Sequence, residues 1–262
     1  LKEAIAVLPE RSGWGSANIG RATKGAAKAL LSRMYLFESS YAKNYPNDER
    51  FAGMVQRWDE ALQYAEEVIE SGEYHLVGID GETYSTWRGP QTPGYRYVFT
   101  VAGNNSPESV FDIQCVQEGL TYALARGSSL TQWTSARQYY DEDGNSRDTN
   151  YWGLNLPTSD LDDAFDPDDP RRETAISRPG DSIPISNGRI VPMSFTMSVT
   201  DLYTSKFEAH SSEFLDLSAT WHSSPINVRL IRFAEVYLNA AEAALMLGDE
   251  PKALEYVNMV RT

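Results

Sequence analysis

The sequence predicts a mainly α-helical protein in which tetratricopeptide-like helical hairpins frame a long, loop-rich region with a few short strands. Three observations lead to this fold class. Helical periodicity is strong near both ends of the 262-residue chain. The two ends share an alanine-rich pattern. The middle holds most of the 13 prolines and 18 glycines, which exclude long regular helices there.

The first helical hairpin is predicted in the N-terminal quarter of the chain. In "TKGAAKALLSRMYLFES" apolar residues recur at steps of three and four, and we expect this stripe to be buried. The segment "RWDEALQYAEEVIESG" repeats the spacing, with Gly72 placed to end the helix. The two stripes consist of Ala27, Leu30, Leu31, Met34, Phe37 and Tyr41, and of Trp58, Ala61, Leu62, Ala65, Val68 and Ile69.

The start of the first helix has a superficial likeness to a phosphate-binding loop. Gly20 and Gly25 have the correct separation, but such a loop needs a lysine and a serine or threonine directly after the second glycine. Ala26 and Ala27 stand at those positions. The sequence therefore argues against a nucleotide site.

A second hairpin is predicted in "VRLIRFAEVYLNAAEAALMLGDEPKALEYVNMVRT". Gly248 is placed to end its first helix, Asp249 to cap the second, and Pro251 to lie in the first turn of the second. Arg232 and Glu235 lie three residues apart and are interpreted as a structural ion pair within one helix. The apolar stripes are Ile231, Ala234, Leu238, Ala241 and Leu245, followed by Ala253, Leu254, Val257 and Val260.

The two hairpins are similar to each other. "AAKALL" matches "AAEAAL", and "EALQYAEEV" matches "KALEYVNMV", which is typical of tetratricopeptide-type helix pairs that stack on one another. Because the helical pattern is still running at "NMVRT", we expect a fragment of a longer chain. We predict one domain over 1–262, with an N-terminal hairpin in 1–77, a loop-rich ligand-binding excursion in 78–225 and a C-terminal hairpin in 226–262.

The excursion is predicted to contain strands at "YRYVFTVA" (95–102) and "SVFDIQCV" (109–116). Thr158 or Ser159 can cap a short helix. Cys115 is the single cysteine, so the chain can form no internal disulfide and no cysteine cluster for a metal.

The net charge of -14 argues against nucleic acid as a partner and against electrostatic docking on anionic lipid. It leaves neutral ligands and protein partners open. No apolar run is long enough to span a bilayer. The three histidines are scattered, and no metalloprotease or serine-hydrolase motif is present. We therefore predict that the protein is not an enzyme and needs no cofactor.

Four segments, in order, resemble the SusD/RagB family of outer-membrane nutrient-binding lipoproteins. They are "TKGAAKALLSRMYLF" with the helix after it, "NSPESVFDIQ", "GLNLPTSDLDDAFDPDDPRR" and "VRLIRFAEVYLNAAEAAL". The chain departs from the family pattern in two respects: the lipidated N-terminal cysteine is absent, and so is the family's C-terminal portion beyond "VNMVR".

The resemblance implies non-catalytic binding of an oligosaccharide or polysaccharide at the extracellular face of the outer membrane. It further implies delivery of the glycan to a SusC-like TonB-dependent transporter, with membrane attachment only through a lipid anchor that this chain lacks. Two alternatives stay open. One is a tetratricopeptide-type adaptor that binds peptides or proteins. The other is a glycoside hydrolase, which would need two carboxylates at a fixed separation.

Under this hypothesis the binding residues are expected in the aromatic loops of the excursion. Sugars bind to exposed aromatic faces, while polar side chains contact their hydroxyl groups. Each ring could instead anchor irregular chain in the core. Trp14 and Trp58 are assigned to packing, and Trp221 is left open. The predicted site residues are Trp87, Arg88, Trp133, Tyr139, Asn145, Asn150 and Trp152.

Two acidic segments are interpreted as structural. "DEDGNSRD" lacks the EF-hand pattern, because Ser146 and Trp152 occupy the sixth and twelfth positions; an irregular calcium site stays open beside a solvated acidic turn. No metal site is predicted. In "DDAFDPDDPRR" we expect the two arginines to pair with nearby aspartates; the residues are Arg171 and Arg172 with Asp166, Asp168 or Asp169.

Overall fold

The computed structural model describes residues 1–116, 126–184, 189–194, 198–210 and 223–261. The chain divides into two compact units. Unit 1 comprises Leu1–Asp80, Asn105–Ile113 and Arg229–Thr262, and unit 2 comprises Gly81–Asn104 and Gln114–Val228.

The helices and strands are numbered in chain order. The helices are α1 Lys2–Val7, α2 Lys24–Asn44, α3 Trp58–Ile69, α4 Gly94–Tyr97, α5 Leu130–Thr134, α6 Ser159–Asp163, α7 Pro170–Ala175, α8 Phe233–Met246 and α9 Glu250–Arg261. The strands are β1 Thr83–Thr86, β2 Gly89–Pro93, β3 Ser109–Ile113, β4 Gln138–Tyr140, β5 Ser146–Asp148, β6 Ile176–Ser177, β7 Ser182–Pro184, β8 Ile190–Ser194, β9 Tyr203–Thr204 and β10 Val228–Arg232. Among the described residues, no helix is both long and apolar enough to cross a membrane.

Unit 1 is built from the two helical hairpins, with α2 packed on α3, α8 packed on α9, and α3 also packed against α8. The Thr23 hydroxyl caps α2 by accepting the Ala26 N–H at 3.0 Å. Asp249 caps α9 by accepting the Lys252 N–H at 3.2 Å, as the sequence predicts. Gly248 follows α8 with a φ of 89°, a conformation that glycine adopts without strain.

The buried face of α2 differs from the predicted apolar stripe. Met34, Phe37 and Tyr41 are 53%, 58% and 38% exposed, so this half of the prediction is wrong. The buried face consists of Leu31, Tyr35 and Leu36 together with six small residues, whose short side chains let the helix backbones approach closely. The hydroxyl of buried Ser32 donates to the Ala61 carbonyl of α3 at 2.7 Å. The small buried residues of α2 are Gly25, Ala26, Ala27, Ala29, Ser32 and Ser39.

The same difference occurs in the C-terminal hairpin. Leu238 and Leu245 of α8, and Leu254 of α9, lie on exposed surface rather than in the core. The interior face of α8 is mostly alanine, whose small side chain again lets neighbouring helices pack closely. The fully or nearly fully buried residues of α8 are Phe233, Ala234, Val236, Ala240, Ala241, Ala243 and Ala244.

A buried carboxylate fixes the strand pair of unit 1. β3 and β10 are hydrogen-bonded neighbours. The Glu108 side chain, only 5% exposed, pairs with Arg232 and also accepts the Val77 N–H at 3.0 Å. The prediction that Arg232 pairs with Glu235 is therefore wrong. Arg232 belongs to the end of β10, outside the helix, and Glu235 pairs with Arg33 of α2.

Unit 2 contains short strands and short helices. β1 and β2 form an antiparallel hairpin, β6 pairs with β9, and a four-stranded antiparallel sheet has the order β5-β4-β8-β7. The predicted strand at 95–102 is wrong, since α4 and turns occupy this segment. The predicted cap of α6 is confirmed, because Thr158 accepts the Leu161 N–H. A small core below the sheet contains Ala136, Ile183, Val191, Met193 and Tyr203.

The two arginines of "DPRR" pair with different aspartates. Arg171 pairs with Asp169, as predicted, through contacts of 2.5 to 3.0 Å. Arg172 pairs with Asp162 of α6 at 2.9 Å, and Arg178 pairs with the same carboxylate. These contacts, first that of Arg172 and then that of Arg178, hold the pKa of Asp162 below its usual value.

We expect Glu108→Ala to lower the free energy of unfolding by about 3 kcal/mol or more, because it leaves Arg232 and the Val77 N–H without their buried partner. Urea unfolding followed by circular dichroism measures the change. The matched control is Glu10→Ala, which removes a half-exposed pair with Lys24 and should change stability by less than about 1 kcal/mol. Equal effects of the two substitutions would contradict this role.

We expect Asp162→Asn to lower the free energy of unfolding at pH 7 by about 1 kcal/mol. Since the pKa of Asp162 is lower in the folded state, its contribution is present above the unfolded pKa of about 4 and disappears as the pH falls through the folded pKa. The stabilities of wild type and variant should therefore converge in strong acid. Asp163→Asn, on the exposed neighbouring residue, is the control and should show no such convergence.

Candidate ligand-binding site

Helix α5 presents one tryptophan outward. Thr131, Gln132 and Thr134 are buried, whereas Trp133 is 38% exposed. The Thr131 hydroxyl donates to the Phe207 carbonyl at 2.8 Å, and the Thr134 hydroxyl donates to Leu130 at 2.9 Å. These bonds satisfy polar groups on the buried side of a very short helix. The helix is therefore held in place by its polar residues while its largest side chain faces solvent.

A second segment runs beside α5 and presents another tryptophan. The Trp152 N–H donates to the Gln132 carbonyl at 2.8 Å, and the Leu154 N–H donates to the Trp133 carbonyl at 2.6 Å. Trp152 is 45% exposed and Leu154 is 51% exposed. Trp133, Trp152 and Leu154 are thus three exposed apolar side chains on two hydrogen-bonded segments, and we call this set the tryptophan ledge.

Gly153 allows this segment to lie close to Tyr203 of β9 and to Arg137, which precedes β4. Its φ is 60°, and an added Cβ would lie 2.5 Å from the Tyr203 ring and 2.7 Å from the Arg137 side chain. Tyr151, on the preceding side of Trp152, is buried, and burial raises the pKa of its hydroxyl. Tyr151 and Gly153 therefore anchor the segment, and Trp152 and Leu154 stay on the outside.

Trp87 and Arg88 form the two-residue turn of the β1–β2 hairpin, since Thr86 is paired with Gly89. The Trp87 ring stacks on the His210 ring at a centroid distance of 5.5 Å and an angle of 17°. The Arg88 guanidinium lies 4.4 Å from the centroid of the same indole. The Trp87 Nε1 is buried, and none of the residues that the structure describes is its hydrogen-bond partner.

A buried carboxylate holds Arg88 in this position. Glu208, whose side chain is 1% exposed, pairs with Arg88 and with buried Arg96, whose guanidinium lies 3.2 Å away. Its other oxygen accepts the Ser177 hydroxyl at 2.8 Å. The buried carboxylate is therefore paired with two arginines and hydrogen-bonded to Ser177, which compensates the cost of removing it from water.

The segment around Glu208 links the two aromatic regions. Phe207 accepts the bond from Thr131 of α5, Glu208 pairs with Arg88, and His210 stacks on Trp87. All of these residues belong to unit 2. Trp87 and the tryptophan ledge are thus supported by one stretch of chain.

The other predicted residues lie in different settings. Tyr139 of β4 is half-buried and packs against the small core of unit 2. Asn150 is exposed, two residues before Trp152, with a φ of 67° and its N–H donated to Asp148 at 2.7 Å. Asn145 is exposed in the β4–β5 turn, at the opposite end of β5 from Asn150. Trp221 lies outside the described residues.

The acidic turn before Asn145 is closed by its own backbone. One Asp141 oxygen accepts the N–H groups of Asp143 and Asn145 at 3.0 and 2.8 Å, and the other accepts Arg147 at 2.7 Å. The Asn145 N–H is the main cause of the lowered pKa of Asp141. Within the described ranges, no group of three or more His, Cys, Asp or Glu side chains is placed to hold a metal ion.

Sequence reasoning did not identify Leu154, Glu208 and His210. Leu154 follows Trp152 by two residues, but this segment is not a strand and Gly153 between them has a φ of 60°, so strand alternation could not have predicted which way Leu154 faces. Glu208 and His210 contact a turn about 120 residues away, so no local pattern could have placed them.

Known proteins share both this fold and its sequence pattern. The SusD family model matches residues 84–262. Surface glycan-binding protein A from Bacteroides uniformis has 20% identity and a TM-score of 0.66, over 99% of this chain and 47% of its own. A SusD-like protein from Bacteroides fragilis has 22% identity and a TM-score of 0.67, over 99% and 50%. Surface glycan-binding protein A from Bacteroides thetaiotaomicron, in complex with laminarihexaose, has 20% identity and a TM-score of 0.65, over 98% and 50%.

The fold is thus that of the SusD-like surface proteins, with a helical unit and a loop-rich unit that exposes aromatic residues. Because the family model covers most of its residues, the chain belongs to the SusD family. It spans about half the length of the solved structures that it matches. No curated protein sequence matches it.

We expect Glu208→Ala to lower the free energy of unfolding by about 3 kcal/mol or more, because Arg96 would be left buried without its acid. Thermal or urea unfolding measures this change. Glu142→Ala is the matched control in the same unit, since the Glu142 side chain is 92% exposed and lies 3.5 Å from Arg189. Its removal should change stability by less than about 1 kcal/mol. A Glu208 variant as stable as this control would contradict the proposed support of the Trp87 turn.

Proposed function

We propose that the protein binds an oligosaccharide or polysaccharide without cleaving it, and that the tryptophan ledge is the main contact. The observation that carries this proposal is the pair of exposed tryptophans on two segments joined by backbone hydrogen bonds. Leaving such rings in water forfeits the free energy that burial would supply, about 25 cal/mol for each Å² of apolar surface. An exposed cluster of this kind is typical of a binding surface.

The chemistry of the ledge suits a sugar. Aromatic faces contact the apolar side of a sugar ring, and neighbouring polar groups contact its hydroxyls. Among the predicted polar residues, Asn150 lies nearest to Trp152 in the sequence, two residues before it, and its side chain is exposed. Trp87 and Arg88 would extend the surface through the segment around Glu208. Tyr139 and Asn145 remain predicted binding residues. Tyr139 lies in β4 of the sheet, and Asn145 lies in the β4–β5 turn.

Relatives support the ligand class. The structure from Bacteroides thetaiotaomicron is a complex with laminarihexaose, and its fold matches 98% of this chain. By extension of the family pattern, we propose a place on the extracellular face of the outer membrane, through a lipid anchor. We also propose delivery of the glycan to a SusC-like TonB-dependent transporter. Within this picture, 78–225 is the ligand-binding part of a single domain, and the hairpins of unit 1 are tetratricopeptide-like supports.

We expect Trp133→Ala and Trp152→Ala each to weaken oligosaccharide binding at least tenfold, or about 1.4 kcal/mol, because each removes a stacking face. Isothermal titration calorimetry with laminarihexaose and other plant, host and microbial oligosaccharides measures the affinity. Chromatography of the same mixtures detects any cleavage.

The matched control is Tyr45→Ala, which removes an aromatic residue of similar exposure from unit 1. Binding should be unchanged in this variant. Cleavage products would overturn the non-catalytic proposal. Full affinity in both tryptophan variants would overturn the assignment of the ledge.

A further inference from the structure

An arginine lies beside the tryptophan ledge, at Gly153. A Cβ added to Gly153 would lie 2.7 Å from the Cγ of Arg137 and 3.0 Å from its Cδ. Gly153 stands between Trp152 and Leu154, the two outer residues of its segment. Because the guanidinium group follows Cδ directly, its positive charge lies next to the backbone that carries the ledge.

The guanidinium of Arg137 is held in place and is accessible only at its end. Its Nε is buried, has no hydrogen-bond partner among the described residues and cannot contact a ligand. The two terminal nitrogens have no described partner either, but they are not buried. The stem packs beside Gly153, where the Tyr203 ring also approaches. A cation fixed in this way loses little conformational freedom when it binds a partner.

The charge of Arg137 is not neutralised by an acid. Most other arginines described in unit 2 pair with a carboxylate, as Arg147 does with Asp141. Asp148 lies on the adjacent strand β5, but its carboxylate accepts the Asn150 N–H at 2.7 Å. Within the part of the chain that the structure describes, no acid forms an ion pair with Arg137. In a chain of 37 acidic and 23 basic residues, such an arginine is unusual.

We propose that Arg137 is a specificity-determining residue of the ledge, and that the glycan bound there carries an anionic group, a carboxylate or a sulfate. This inference rests on the proposed function, because it concerns the ligand that Trp133 and Trp152 hold. The two terminal nitrogens of a guanidinium can bind one oxyanion through two parallel hydrogen bonds. A hydroxyl group of a neutral sugar forms a weaker bond with the same cation, because that acceptor carries no charge.

The acidity of the protein does not prevent this contact. The formal net charge of -14 repels anions at long range. At physiological ionic strength the Debye length is about 8 Å, so distant surface charges are largely screened, whereas groups in direct contact are not. The charge beside the bound sugar therefore decides which glycan is preferred.

The test compares glycans that share one backbone and differ only in charge. The probes are laminarihexaose and cellohexaose, their uronate forms, in which carboxylates replace the primary alcohol groups, and their forms sulfated at the primary hydroxyls. In calorimetric titrations the wild type should bind a charged form at least tenfold more tightly than the neutral form of the same backbone. The uronate and sulfated probes identify which oxyanion is preferred.

Variants of Arg137 show whether this residue causes the preference. In Arg137→Met, which keeps the stem and removes the charge, the ratio of the two affinities should fall to about one. Arg137→Lys, which keeps the charge without the planar group, should retain part of the ratio. The matched control is Arg147→Met, since the Arg147 side chain is 56% exposed and already paired with Asp141. It removes the same charge from unit 2 and should leave the ratio unchanged.

Thermal unfolding separates selectivity from folding. Arg137→Met removes a buried donor that has no described partner, so stability should be unchanged or higher. If this variant fails to fold, the wild-type ratio and Arg137→Lys still decide the question. Equal affinity for neutral and charged forms, in binding that still depends on Trp133 and Trp152, would overturn this inference and leave the proposed function intact. A preference that persists in Arg137→Met would also overturn it. Absence of binding to every probe would overturn both proposals.

Discussion

The pairing of Glu108 with Arg232 is the buried ion pair that joins the two strands of unit 1. It joins positions 124 residues apart, one directly before β3 and the other at the end of β10. Between these strands the chain makes most of unit 2. Closing so long a loop costs conformational entropy, although the cost grows only slowly with length. A buried acid that binds both Arg232 and the Val77 N–H offsets this cost where three separate segments of unit 1 meet.

The helical hairpins could be predicted from the sequence, but the faces they bury could not. Periodicity identifies Met34, Phe37 and Leu238 as part of apolar stripes, and these residues prove to be exposed. Alanine, glycine and serine have little hydrophobic weight, so a face made of them is inconspicuous in a sequence. In the folded protein the face rich in small residues is buried, because it lets two helix backbones approach closely and make many van der Waals contacts.

The candidate site was predictable to a similar degree. A loop-rich region with four tryptophans predicts aromatic binding, and in the structure Trp133 and Trp152 are exposed, while their role in binding stays a prediction. Composition alone could not separate them from Trp87, whose ring is engaged by His210 and Arg88. That distinction depends on Glu208, which is distant in sequence and whose role arises only from the tertiary structure.

Gly153 determines which residues of the segment around Trp152 can be replaced. The backbone at this position needs a positive φ and has no room for a side chain beside Tyr203. Its neighbours Trp152 and Leu154 are 45% and 51% exposed, so about half of each residue's surface is not fixed by packing. The two outer residues can therefore be substituted, which would change the shape of ligand that is bound, while Gly153 keeps the backbone of the segment in place. The segment thus combines one backbone position that requires glycine with two outer side chains that can be replaced.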